Sequence, residues 1–121
     1  MREQVIPTNM DSILESTKKL LGLPKEYDAF DVDIIIHANT VFSTLTQMGV
    51  GPKEGFTITG YDELWNNYTT TSDIKTQQVK SYLYLKVRSM FDPPSNGNLM
   101  TAMDKAIAEL EYRLYTEEGG Y

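Results

Sequence analysis

Cysteine is absent from this 121-residue chain, which excludes disulfides, thiolate nucleophiles and cysteine metal sites and makes assembly in a reducing cytosol the simplest expectation. Histidine occurs once, at His37, so a multi-histidine metal centre is excluded as well, and no metal or cofactor is expected. Basic residues are scarce: 11 Lys and Arg against 17 Asp and Glu leave a net charge of −6, which argues against polyanion binding driven by phosphate neutralisation. Long apolar runs are missing too. The best of them, Ile34-Ile35-Ile36, ends at His37, far below the roughly 18 residues that span a bilayer. A soluble protein without membrane contact is expected. Met1 to Asn9 have neither an apolar core nor a small-residue cleavage site, so they do not read as a secretion signal. Pro7, Thr8 and Asn9 break structure, which predicts a flexible arm over residues 1–10, one domain over 11–116 and a flexible tail over 117–121.

What the chain does have is helical periodicity. Ser12-Ile13-Leu14-Glu15 has the spacing of a capping box and opens a first helix that closes at Gly22, with Ile13, Leu14, Thr17, Leu20 and Leu21 inward. Lys18 and Lys19 then suit the negative end of its dipole. A second helix starts near Asp31 and carries Ile34, Ile35, Ala38, Val41, Phe42, Leu45 and Met48 on one stripe up to Gly49. From Val50 to Gly60, Gly51, Pro52, Gly55 and Gly60 predict a long loop with at most a short strand at Phe56 to Thr59, and such a loop in a compact domain commonly binds or packs. A short helix follows over roughly Asp62 to Tyr68, with Asp62 as its cap and Leu64, Trp65 and Tyr68 inward. The fourth helix, about Ser72 to Phe91, is apolar on more than one side through Val79, Tyr82, Leu83, Leu85, Val87 and Met90, which makes it central; Asp92-Pro93-Pro94 ends it. The last, about Asn98 to Tyr115, turns Leu99, Met103, Ala106, Ile107, Leu110 and Leu114 inward. The fold class is therefore mainly α, a bundle of four to five helices.

No catalytic constellation stands out. Asp62-Glu63 and Glu109-Glu111 are carboxylate pairs of the kind that 17 acids produce by chance, and Glu109 with Arg113 reads as a surface i, i+4 pair. His37 beside Asn39 and Asp33 has no serine or threonine nucleophile placed by a motif, so it reads as a structural histidine. Gly49-Val50-Gly51-Pro52 lacks the lysine and hydroxyl residue of a phosphate loop and reads as a helix stop.

The charge distribution is less ordinary. Lys75, Lys80, Lys86 and Arg88 fall on the fourth helix with no acid among them, whereas Glu26 to Asp33 and Glu109 to Glu118 are mostly acidic. Opposite charge on two sides of one subunit is what head-to-tail packing of identical copies requires. Tyrosines at Tyr27, Tyr61, Tyr68, Tyr112, Tyr115 and Tyr121 fall at helix ends or in loops, where an amphipathic ring suits protein contacts. Candidate subunit or partner contacts are thus Lys75, Lys80, Lys86, Arg88, Glu109, Glu111, Tyr112 and Tyr115. A small helical adaptor or regulatory module that binds one bacterial protein or nucleic acid through the basic stretch is the alternative.

Four blocks of sequence resemble the head-tail connector, or adaptor, proteins of long-tailed bacteriophages, often labelled phage DNA-packaging proteins. They are Asp31 to Pro52, with His37-Ala38-Asn39 and Leu45-Thr46-Gln47-Met48-Gly49; Phe56 to Trp65, with Ile58, Glu63 and Trp65; Val79 to Pro94, with Leu85-Lys86-Val87-Arg88 and Phe91-Asp92-Pro93-Pro94; and Ile107 to Leu114. The resemblance implies a helical virion subunit, non-enzymatic and built in the host cytoplasm, that forms a ring of roughly a dozen copies at the portal vertex. It further implies contact with the portal protein and with a stopper or tail-completion protein, while DNA passes through without sequence-specific binding.

Overall fold

The computed structural model describes residues 11–69 and 74–117. Among these residues the protein is mainly helical: α1 (Ile13–Leu20), α2 (Asp31–Gln47), α3 (Trp65–Tyr68), α4 (Ile74–Phe91) and α5 (Gly97–Glu117). Residues 1–10, the first residues expected of the fourth helix (72–73) and 118–121 lie outside the described part.

Local chemistry explains each boundary. Ser12 caps α1, its Oγ accepting from the Glu15 amide at 3.1 Å. Both α1 and α2 end on a glycine in the left-handed region, Gly22 and Gly49, each at φ +84°. The following amides, of Leu23 and Val50, reach back to the Lys18 and Leu45 carbonyls at 2.8 and 2.9 Å and satisfy helix ends that would otherwise be orphaned. The short α3 departs from expectation: Leu64, not Asp62, is its N-cap, and the Asn67 side chain accepts from the Leu64 amide at 2.7 Å. Asn96 Oδ1 accepts from the Asn98 and Leu99 amides and starts α5.

Helix α4 is the axle, packed against α2, α5 and α1, which is why its apolar positions cover more than one side. The core joins Ile13 and Leu14 of α1, Ile34, Ala38, Val41, Phe42 and Leu45 of α2, and Val79, Tyr82, Leu83 and Val87 of α4, with Met103, Ile107 and Leu114 of α5 on the other flank. Three inward expectations are corrected. Leu20, Leu99 and Met90 are exposed, each near a helix end where the neighbouring helix no longer covers it. Lys18, read from the sequence only as a cation at the negative end of the α1 dipole, is fully buried.

A glycine and a tyrosine give the first prediction. Gly51 has φ +87°, and a Cβ there would stand 2.5 Å from the buried Tyr68 hydroxyl oxygen. Gly51→Ala combines left-handed strain with overpacking and is expected to lose about 2–3 kcal/mol in urea unfolding. The Tyr68 hydroxyl itself has no hydrogen-bond partner among the described residues. Tyr68→Phe is therefore expected to be neutral or to gain up to about 1 kcal/mol in the same assay, since it removes an unsatisfied buried hydroxyl.

Candidate functional site

The long loop between α2 and α3 is fastened residue by residue. Asn39, on the flank of α2, brackets Ile58: its Oδ1 accepts from the Ile58 amide at 2.8 Å and its Nδ2 donates to the Ile58 carbonyl at 3.0 Å. This amide clasp replaces the strand considered for Phe56 to Thr59; among the described residues the sole β-type pairing is an isolated bridge between Ser12 and Leu64. Glu63 closes the next turn, accepting from the Thr59 hydroxyl at 2.8 Å and the Gly60 amide at 3.3 Å. Burial pushes its carboxyl up, but these bonds outweigh that and hold it below the ordinary range. Trp65 anchors the loop's end, buried against Phe42 and Tyr68, with Nε1 donating to Ser16 Oγ at 3.0 Å. A loop held at Ile58, Gly60 and Trp65 is a fixed surface, with exposed Lys53, Glu54 and Thr57 at its rim.

A second knot fixes the segment between α1 and α2. The Lys18 ammonium is surrounded by the Lys25 carbonyl (3.0 Å), the Tyr27 carbonyl (2.8 Å), the Tyr61 hydroxyl (2.6 Å) and Asp31 Oδ1 (2.7 Å). The Tyr61 hydroxyl in turn reaches Asp31 Oδ2 at 2.9 Å. Burial pulls the ammonium's pKa down, but Asp31 and Tyr61 more than offset this, so Lys18 titrates above its ordinary 10.5. Sequence reading missed Lys18 as a core group. The signal was its spacing, four after Leu14 and three before Leu21, which puts it on the buried stripe of α1.

Alkali tests the Lys18 knot and the tyrosines of the core. Burial raises Tyr68 from 10.0 to about 12, and burial with the Glu111 carboxylate, which accepts from Tyr82 at 2.8 Å, raises Tyr82 further. All three groups, Lys18 included, hold their proton more tightly when folded, so stability is undiminished by them below pH 10 and falls progressively as pH rises above it. Urea unfolding at pH 8 and pH 11 is expected to show a clear fall in stability, and Tyr68→Phe should blunt it.

The eight contact candidates do not form one patch. Lys75 lies in a shallow cleft of about 430 Å³ beside Gly51, Pro52 and Tyr68. Lys80 folds over the Trp65 ring, Nζ 5.2 Å from its centroid, in a separate cleft between α1 and α4 that also holds Lys19 and Tyr84. Burial lowers its pKa, and Asp11 restores part of the loss. Lys86 and Arg88 are half-buried on α4, two residues apart and so on different sides of it; Arg88 donates to the Tyr84 hydroxyl at 3.3 Å and to the Asp92 carbonyl at 3.4 Å. On α5, Glu109 pairs with Arg113 at 2.7 Å, Glu111 is taken by Tyr82, and Tyr112 and Tyr115 are exposed. Among the described residues no three His, Asp or Glu side chains gather in a metal-ligand group, and no helix is long and apolar enough to cross a membrane.

The arrangement thus consists of pinned loops, capped turns and exposed helix faces. A family model described as phage connector protein matches residues 13–120, nearly the whole described domain. The chain belongs to the phage connector protein family. Comparison with curated proteins and with solved structures gave no match. Connector proteins are structural proteins that associate with other head and tail proteins of the phage, which fits a protein of pinned loops and exposed faces. The blocks that carry the family likeness are now explained: Asn39, Ile58, Glu63 and Trp65 shape the long loop, and Phe91 to Pro94 end α4.

Proposed function

We propose that this connector subunit forms a closed ring at the portal vertex, joins the DNA-filled head to the tail and lines part of the DNA passage. Its two faces then meet the portal protein and a stopper or tail-completion protein, and the finished ring resides in the virion after assembly in the host cytoplasm. Residues 11–116 act in it as one domain. The observation that supports this best is the unlike charge of the two main helices. From Glu26 to Pro52 there are four acids and no Lys or Arg, whereas α4 carries four bases and no acid. A monomer has no use for this polarity; a head-to-tail ring uses it at every contact. At −6 per subunit, the ring repels phosphate and lets the duplex slide.

A fluorescence titration with duplex DNA at low salt, run beside co-sedimentation with the portal protein, tests the reading. The expected result is portal binding with weak, non-saturating DNA association. Tight DNA binding with a steep salt dependence, lost in Lys80→Ala and Arg88→Ala, would instead support a nucleic-acid adaptor.

A further inference from the structure

The outer face of α2 is unusual for a solvent-facing helix. Opposite its buried line of Ile34, Ala38, Val41 and Leu45 run Val32, Ile36, Thr40, Ser43 and Gln47, and the first two are 69% and 56% exposed. Thr40 and Thr44 turn their hydroxyls back onto the Ile36 and Thr40 carbonyls, which leaves methyl groups outward. Within α2 the charges are Asp31, buried against Lys18, and Asp33, which is exposed and makes no ion pair among the described residues. On α4 the outward stripe is Ile74, Gln77, Ser81, Tyr84 and Arg88, with Ile74 74% exposed. Each stripe lies on the side of its own helix opposite the positions that helix gives to the common core.

Their heights match. Phe91, at the end of α4, stacks edge-on against Phe30, at the start of α2, with centroids 5.2 Å apart. At the other end, Val50 and Gly51, just past α2, share a cleft with Lys75 and Thr76 of α4. The helices are therefore antiparallel and level. Counting three residues inward from the Phe30–Phe91 contact on each helix arrives at Asp33 and Arg88; seven more arrive at Thr40 and Ser81, and seven more at Gln47 and Ile74. These pairs stand at common heights on opposite flanks of one subunit. A neighbour related by rotation about an axis parallel to the helices brings one flank onto the other without a rise, which closes a ring instead of winding a filament.

We infer that the outer face of α2 in one copy packs antiparallel on the outer face of α4 in the next, Asp33 meeting Arg88, Ile36 resting on Tyr84 and Thr40 facing Ser81. This rests on the ring reading above and specifies its contact. Each stripe is about 22 Å long and about 10 Å wide, or about 220 Å² in projection, well short of the ~800 Å² per partner of a stable pair. An isolated dimer is weak, and copies hold together when both flanks of each are used.

The absence of native cysteine makes disulfide trapping a clean test. Thr40→Cys and Ser81→Cys, both at exposed sites, are combined in one full-length chain, with Thr40→Cys and Thr101→Cys as the equally exposed control. The chains are oxidised with the portal protein present, and multimer mass is recorded before oxidation. The expected result is a ladder of covalent multimers at least about 10-fold stronger than in the control. Multimers by mass without a ladder, or ladders of equal strength, would overturn this pairing and leave the ring standing. No multimer by mass would remove the ring and the pairing together. As a second readout, Arg88→Asp should abolish the ladder and Asp33→Arg in the same chain should restore it; restoration failing while both variants stay folded contradicts the Asp33–Arg88 contact.

Discussion

Lys18→Met is expected to lower the unfolding free energy by about 3–5 kcal/mol, the scale for breaking a buried, hydrogen-bonded ion pair. Methionine keeps much of the volume, so the loss is electrostatic: Asp31 keeps its charge with only 16% of its side chain exposed, and two backbone carbonyls lose their donor. The consequence is larger than one contact because the ammonium joins α1, the segment at Lys25 and Tyr27, the start of α2 and the Tyr61 turn. Urea unfolding should place Lys18→Met far below the parent, with Lys18→Met/Asp31→Asn recovering part of the loss because the stranded charge is gone. A midpoint shift worth less than about 1 kcal/mol for the single variant would mean that the knot contributes little.

Trp65→Ala is expected to cost about 3–5 kcal/mol, as large aromatic deletions in a closed core do. Trp65 is 2% exposed, touches Phe42 and Tyr68, underlies Lys80 and bonds Ser16, so its loss opens a cavity where α1, α2, α3 and α4 meet. Small domains have unfolding free energies of only about 5–15 kcal/mol, so a sizeable unfolded fraction is expected near the lower bound. Trp65→Phe should lose roughly 1–2 kcal/mol, keeping the ring but not the hydrogen bond. Thermal unfolding followed by circular dichroism separates the two. Equal losses in both variants would make the Ser16 bond, not the packing, the source.

Helices of good length were legible because their apolar residues recur at 3.6-residue spacing and their ends carry Ser12, Gly22, Gly49 and Pro93-Pro94. Centrality of α4 followed from its apolar width. What escaped lies in side-chain hydrogen bonding between segments far apart in sequence. Asn39 and Ile58 are 19 residues apart, Lys18 and Tyr61 are 43, and no local pattern marks such pairs. Asp62 looked like the cap of the short helix, but the Ser12–Leu64 bridge and the Glu63 clasp keep the chain extended two residues further. The contact candidates were legible as charge, not as geometry. Periodicity alone separates Lys80 from Lys86 around α4, yet that Lys80 covers Trp65 and Arg88 bends onto Tyr84 depends on neighbours that only the fold supplies.

Under the ring proposal, charge also explains how a subunit finds its own copies. Within the monomer Asp31 at the start of α2 is paired with Lys18 of α1. In the proposed ring, potentials of opposite sign on the α2 segment and on α4 guide approach and set register more than they add affinity.

Native mass measurement of the 13.8 kDa chain mixed with its portal protein tests the central claim most directly. The account predicts a complex whose mass exceeds that of the portal by a whole number of subunits, on the order of a dozen, with no partly filled series at saturation, as a closed ring requires. A portal carrying single, independent copies, or a chain that stays monomeric and unbound at high concentration, would contradict it.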